Sequence, residues 1–199
     1  MWGIVEDNTI TKLINNPKGI VIGDIRYSRK IFELWSKSEL EAIGIYEVEF
    51  DNTNKKDEQW YINTNQSFAF AGGKITASYG SATPKAHADA NATDEDGVEL
   101  DPLVVIPGLK TIKNREVKKQ AAGELQNTDW YITRKADAGT AVPSAITNHR
   151  AAVRTKCAEM ETAITNAADT PALETLYTYT RQEDGSNTRP LGELPTLES

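Results

Sequence analysis

The side chains of this sequence that could do chemistry are few and scattered. Its two histidines, His87 and His149, have no cysteine or acidic residue at a metal-ligand spacing around them, so neither marks a zinc site or a catalytic base. The ordinary reading puts His87 in solvent and His149 on a helix flank. The run Asp94-Glu95-Asp96-Gly97 invites a calcium loop, but setting Gly97 at the loop glycine places Ala92 at the first ligand position and Leu103 at the twelfth. A solvated acidic turn fits better. Glu47 and Glu49 project from one strand face, as a glycan-degrading carboxylate pair would, but the sequence supplies no cleft to set their separation.

Other candidates fail on their surroundings. Cys157 falls in an apolar helical stripe, where a thiol behaves as a small core hydrophobe; His149 is two turns away and about 80° around the helix, a poor activating base. Gly72-Gly73 is a turn rather than a phosphate loop, because no helix with basic residues follows it. Lys110, Lys113, Arg115, Lys118 and Lys119 make a basic helix start without the interleaved aromatics that stack on bases, so a charged helix face is expected. No catalytic, metal or cofactor-binding residue is expected, and no cofactor.

Composition narrows the class. The 199 residues are 39% hydrophobic and 26% charged, enough to bury one ordinary core or two small ones. A net charge of −7 opposes non-specific adhesion to nucleic acid or an anionic membrane. One cysteine excludes an intrachain disulfide, and neither a signal-like start nor a membrane-spanning stretch is visible, so folding in a cytoplasm is expected.

The expected fold class is α+β: an N-terminal antiparallel β-rich domain with one short helix (1–80), an acidic linker or long loop (81–108), a helical hairpin-like region (109–180) and an extended, mobile C-terminal tail (181–199). Asp7-Asn8 and Gly72-Gly73 each suit a tight hairpin, the second pairing Phe70 with Ile75 and Phe68 with Ala77. Ser36 and Glu39 form a capping box, with Trp35 and Leu40 at the staple positions and Gly44 as the left-handed stop. In "IYEVEF", Tyr46, Val48 and Phe50 share one face of a half-buried strand and Ile45 points the other way with Glu47 and Glu49. Val117, Ala121 and Leu125 form a helical stripe that Ile112 fits poorly. Ile146, Arg150, Val153, Cys157, Met160, Ile164 and Ala167 alternate steps of four and three, the cleanest periodicity in the chain, and demand a partner surface.

Between those two helices, "L..TDW...R" followed by "R..VR" places Leu125, Thr128, Asp129, Trp130, Arg134, Arg150 and Arg154 in a pattern. That pattern resembles the C-terminal region of bacteriophage tail (fibre) assembly chaperones and fibre-associated proteins, with His149 standing where an aromatic residue is usual. The N-terminal half, through "LWSKSELEAIGIYEVEFDNTNKKDEQWYINTNQ" and its hairpin, resembles the β-rich leading region of marine-phage virion and tail proteins. The resemblance implies a non-enzymatic protein of the virion tail, made in the host cytoplasm, that binds other tail or fibre proteins as a structural component or assembly chaperone. No nucleic-acid partner and no membrane insertion are expected, on the charge and the lack of a spanning stretch. The alternatives are a self-associating receptor-binding or fibre module, paired through the long helix, and, less favoured, a tail glycan-degrading enzyme.

The residues expected to clasp the corner or meet a partner are Thr128, Asp129, Trp130, Arg134, Arg150, Val153, Arg154, Met160 and Ile164. Thr128 or Asp129 would accept backbone N–H bonds at the break, one of the three arginines would pair with Asp129, and Trp130 would be an apolar wedge. Val153, Met160 and Ile164 serve either a partner or the protein's own core. If Trp130 is a buried wedge, Trp130→Ala should cost about 3 to 5 kcal/mol, read from a thermal or urea melt.

Overall fold

The structure is a computed structural model and describes residues 1–197. The chain is α+β and divides into two compact units, Met1–Thr83 and Pro84 onward. In the first, β1 (Trp2–Glu6) and β2 (Thr9–Ile14) are joined by Asp7 and Asn8 at φ 49° and 61°, the left-handed pair whose twist matches that of the strands. A small ribbon, β3 (Ile20–Ile22) with β4 (Ile25–Tyr27), leads into α1 (Ile31–Leu34) and α2 (Lys37–Ala42). Then come β5 (Ile45–Asp51), β6 (Tyr61–Ile62), β7 (Ser67–Ala71) and β8 (Lys74–Ser78).

Five of these strands form one curled sheet in the order β2-β1-β5-β8-β7. The Gly72-Gly73 hairpin has the expected register, Phe70 opposite Ile75 and Phe68 opposite Ala77. The expectation of an antiparallel domain holds for the other pairs of this sheet and is corrected at one: β8 lies parallel to β5, Val48 opposite Ile75 and Phe50 opposite Ala77. Residues 52–73 carry the chain back to the starting end, the long return a parallel pair requires.

The capping box is present, with Ser36 Oγ accepting from the Glu39 N–H and the Glu39 carboxylate accepting from the Ser36 N–H at 2.7 Å. The Ser36 hydroxyl, donating to the same carboxylate at 2.7 Å, and the Ser36 N–H hold the Glu39 carboxyl below its usual range. Trp35 packs edge-on to Tyr27, 5.8 Å between centroids; α2 is the expected short helix, and α1 is a further four-residue piece ahead of it, with Trp35 extended between the two. Gly44 stands at φ 80°, its carbonyl accepting from Val5 N–H at 2.8 Å, while a Cβ there would come within 2.8 Å of the Val5 carbonyl oxygen. Helix exit and sheet entry thus meet at a residue that must be glycine.

Strand β5 is not half-buried in the expected way. Ile45 is fully buried with Ile4, Ile14, Ile31 and Leu40, whereas Val48 joins Ile75 and Ala77 in a second cluster and Phe50 is 53% exposed. Both faces of the sheet are covered near the start of β5, one by the helices and one by the curl of the sheet itself, and neither cover reaches Phe50.

The second unit is built on α3 (Leu109–Gln126), α4 (Asp129–Ala138), α5 (Ser144–Asn166) and α6 (Thr170–Tyr177). All seven residues of the long stripe, from Ile146 to Ala167, are buried, and α3 is the main surface they meet. Lys113, not Ile112, occupies the turn between Leu109 and Val117: its stem is buried, its ammonium bonds Glu116 at 2.8 Å, and it lies 5.2 Å from the Tyr177 ring centroid. Pro143 is the N-cap residue of α5.

The two segments without periodicity carry specific local contacts. Between 81 and 108, Ala90–Asn91 pairs with Val105–Ile106 and Thr93 bridges Glu99, with Asp94 closing the turn by accepting from the Asp96 and Val98 N–H groups. Asp89 accepts from Gly108 N–H and from Thr111 Oγ1, bonds that hold its carboxyl below the usual range and tie the segment to the start of α3. After α6, Thr180–Arg181 pairs with Asn187–Thr188, Arg189 bonds Glu193 at 2.8 Å, and Leu191 is buried with its N–H on the Leu176 carbonyl. Local polar bonds, not periodicity, hold this tail; Glu198 and Ser199 lie outside the described residues.

Two substitutions test the α2 region by urea denaturation. Ser36→Ala should cost about 1 kcal/mol as a lost N-cap. Gly44→Ala should cost more, about 2 kcal/mol, because it adds the left-handed penalty to a clash with backbone.

Candidate functional site: the corner between α3 and α5

Helix α3 stops at Gln126 and α4 starts at Asp129, leaving Thr128 outside helical geometry at φ −115°, ψ 1°. Thr128 is fully buried, and its hydroxyl donates to the Leu125 carbonyl at 2.9 Å. It does not cap α4, so the expectation that it accepts a backbone N–H is corrected: its oxygen accepts from an arginine instead.

That arginine is Arg150, one of the seven residues in the buried stripe of α5. Its Nη1 lies 2.9 Å from the Leu125 carbonyl, 2.7 Å from Thr128 Oγ1 and 2.8 Å from Asp129 Oδ1. One guanidinium nitrogen thus meets the end of α3, the break and the first residue of α4. The Asp129 carboxylate is 59% exposed, so the ion pair itself is weakly stabilising, while the two bonds made inside count for more.

The other two arginines do not pair with Asp129. Arg154 is exposed and turns back along α5, its Nη1 3.5 Å from the Arg150 carbonyl. Arg134 lies over Trp130, 4.6 Å from the ring centroid, and 5.5 Å from that of Tyr131. Positions three and four residues apart share a helix face, which brings this guanidinium back over both rings.

Trp130 is therefore not the wedge of the corner. It is 50% exposed, stacked on Tyr131 with 3.8 Å between centroids and 33° between planes, and α4 buries no residue at all. The corner's interior is filled by Thr128 and Arg150, which leaves the aromatic pair on the surface. Tyr131 was missed in the sequence; its three-residue spacing to Arg134 was the available signal. Val153, Met160 and Ile164 are buried in the unit's own core, so in this folded form they present nothing to a partner.

Cys157 is buried, its thiol donating to Glu161 at 3.3 Å. Burial pushes the thiol pKa up, and the bond to Glu161 adds to this; Glu161 is itself held low chiefly by Lys118, 3.0 Å away. A thiol kept protonated and covered is a packing group. Glu49 is tied to Lys74 at 2.7 Å, whose ammonium holds the carboxyl below its usual range. Among the described residues no three of His, Cys, Asp and Glu are grouped to hold a metal, and no helix is long and apolar enough to cross a membrane. His87 is partly buried, not fully in solvent, and His149 is half-buried on the flank of α5.

The corner so described is a hydrogen-bonded bend in a helical unit that displays an aromatic pair capped by a guanidinium. No protein-family model matches the sequence, and comparison with curated proteins and with solved structures gives no significant match.

Urea melts should separate the clasp from the display. Arg150→Ala is expected to lose about 2 to 3 kcal/mol, by orphaning buried acceptors and opening space in the seam. Trp130→Ala should lose only about 1 kcal/mol, the scale of one exposed stacking and cation–π contact. At neutral pH, Cys157 should react with a thiol reagent at the rate of unfolding; rapid labelling of the native protein would contradict its packing role.

Proposed function

We propose that this chain is a non-enzymatic bacteriophage tail protein that binds a tail-fibre partner, as a fibre-associated component or as an assembly chaperone. The observation that carries the reading is the corner. Residues of the tail-protein pattern, Leu125, Thr128, Asp129 and Arg150, meet in one hydrogen-bonded knot, and Trp130 and Arg134 are displayed beside it. An exposed tryptophan stacked on a tyrosine and covered by an arginine combines the three side chains most enriched at protein contacts. It sits on a bend whose geometry is already set, so binding orders little new chain.

In this reading the hairpin-like character of 109–180 is α3 running against α5, with α4 as the projecting bend. The protein acts at the virion tail after synthesis in the host cytoplasm. Self-association through the long helix is the weaker alternative, because the stripe that would pair is already covered by α3.

Mass spectrometry of purified virions, with this protein counted against known tail proteins, tests the reading. A fixed ratio means a structural component; absence from virions with abundance in infected lysate means a chaperone released after use. Co-purification with the fibre protein should be lost in Trp130→Ala while the melt changes little. Retention of the complex would remove the corner from the interface.

A further inference from the structure

The segment Val98–Ile106 carries six large apolar side chains that are exposed: Val98, Leu100, Leu103, Val104, Val105 and Ile106, from 38% to 61%. Neighbouring residues of a strand point to opposite faces, so Val105 at 51% and Ile106 at 56% leave both faces of this ribbon bare. An isolated two-stranded hairpin has little stability of its own in water, and among the described residues none buries the apolar side chains of this one. Yet its base is fixed: Asp89 bonds the Gly108 N–H and the Thr111 hydroxyl, and the Leu109 and Lys110 N–H groups bond the carbonyls of Ala86 and His87. The segment is an arm with a rooted base and an uncovered apolar blade.

Its charge says what could cover it. Asp89, Asp94, Glu95, Asp96, Glu99 and Asp101 lie along the same arm, with no lysine or arginine from Asp89 to Gly108. Asp89 is spent on the base; the others flank the apolar residues. Anionic lipid and nucleic acid are repelled by such a field, and an uncharged apolar surface would leave the carboxylates without counter-charges.

We propose that residues 90–106 are a docking arm whose occupant is a protein surface with an apolar centre bordered by lysines and arginines. The arm covers that centre with Val98 and Leu103–Ile106 and sets Asp94–Asp96 and Glu99 against the basic border. This assignment is independent of the tail-protein reading: it concerns a different surface and stands on the arm's exposure and charge alone.

The test uses the full chain and a synthetic amphipathic Leu/Lys helical peptide as the probe, with a Leu/Glu peptide of equal apolar content beside it. Anisotropy of the labelled peptides should show the Leu/Lys probe binding more weakly as salt rises, and the Leu/Glu probe not binding. A Leu103→Ser/Val104→Ser/Ile106→Ser variant and an Asp94→Asn/Glu95→Gln/Asp96→Asn variant should each weaken the Leu/Lys probe about tenfold or more, a difference of about 1.4 kcal/mol. A control that removes the same charge elsewhere, Glu6→Gln/Asp24→Asn/Glu183→Gln, should bind as the parent does. Equal loss in that control would make the attraction one of net charge and overturn the proposal, as would unchanged binding in either arm variant. A dimer of the parent chain that the Leu103→Ser/Val104→Ser/Ile106→Ser change abolishes would also overturn it, by making a second copy the occupant. The substituted side chains are exposed, six on the arm and the three control residues away from it, and unchanged circular dichroism certifies each variant as folded.

Discussion

The helical unit depends on a cation placed in an apolar seam. Arg150 occupies a turn of α5 whose neighbours along the stripe are Ile146 and Val153, and a guanidinium there must find oxygen acceptors or leave. The acceptors it finds are those of a helix end and a break: the Leu125 carbonyl, the Thr128 hydroxyl and the Asp129 carboxylate. Holding one guanidinium nitrogen therefore ties together where α3 stops, how the chain bends and where α4 begins. An apolar residue at this position would fill the space without specifying the bend.

How much of this was legible follows from the range of each interaction. The α5 stripe is a local pattern, and every residue of it is buried. The capping box and the Asp7-Asn8 turn depend on residues two or three apart, and both are present. The parallel pairing of β5 with β8 joins strands separated by a long return, and nothing in either strand encodes the partner. Trp130, the largest side chain of the corner, is half exposed, so size does not set burial there. What decides burial at a corner is which residue points inward, and a threonine does so here.

The same distinction explains the two segments that read as loose. Their order rests on single polar side chains at decisive places, Asp89 at the start of α3 and Arg189 against Glu193, and neither leaves a periodic trace. Composition could report that residues 89–101 are acidic. It could not report that Asp89 ties the segment to α3, that Asp94 closes its turn and that Glu99 accepts from the Asn91 amide.

The rooting of the arm has an evolutionary side. The chain leaves the helical unit at Asp89 and rejoins it at Gly108, where Asp89 Oδ1 and the Gly108 N–H are 2.8 Å apart, and what lies between contributes no residue to the buried core. Such a segment behaves as a cassette. It can lengthen, shorten or exchange its sequence without disturbing α3 or α5, provided the aspartate and the glycine at its two ends are kept. Variation in what the protein recognises can then accumulate in one place while the helical scaffold stays constant.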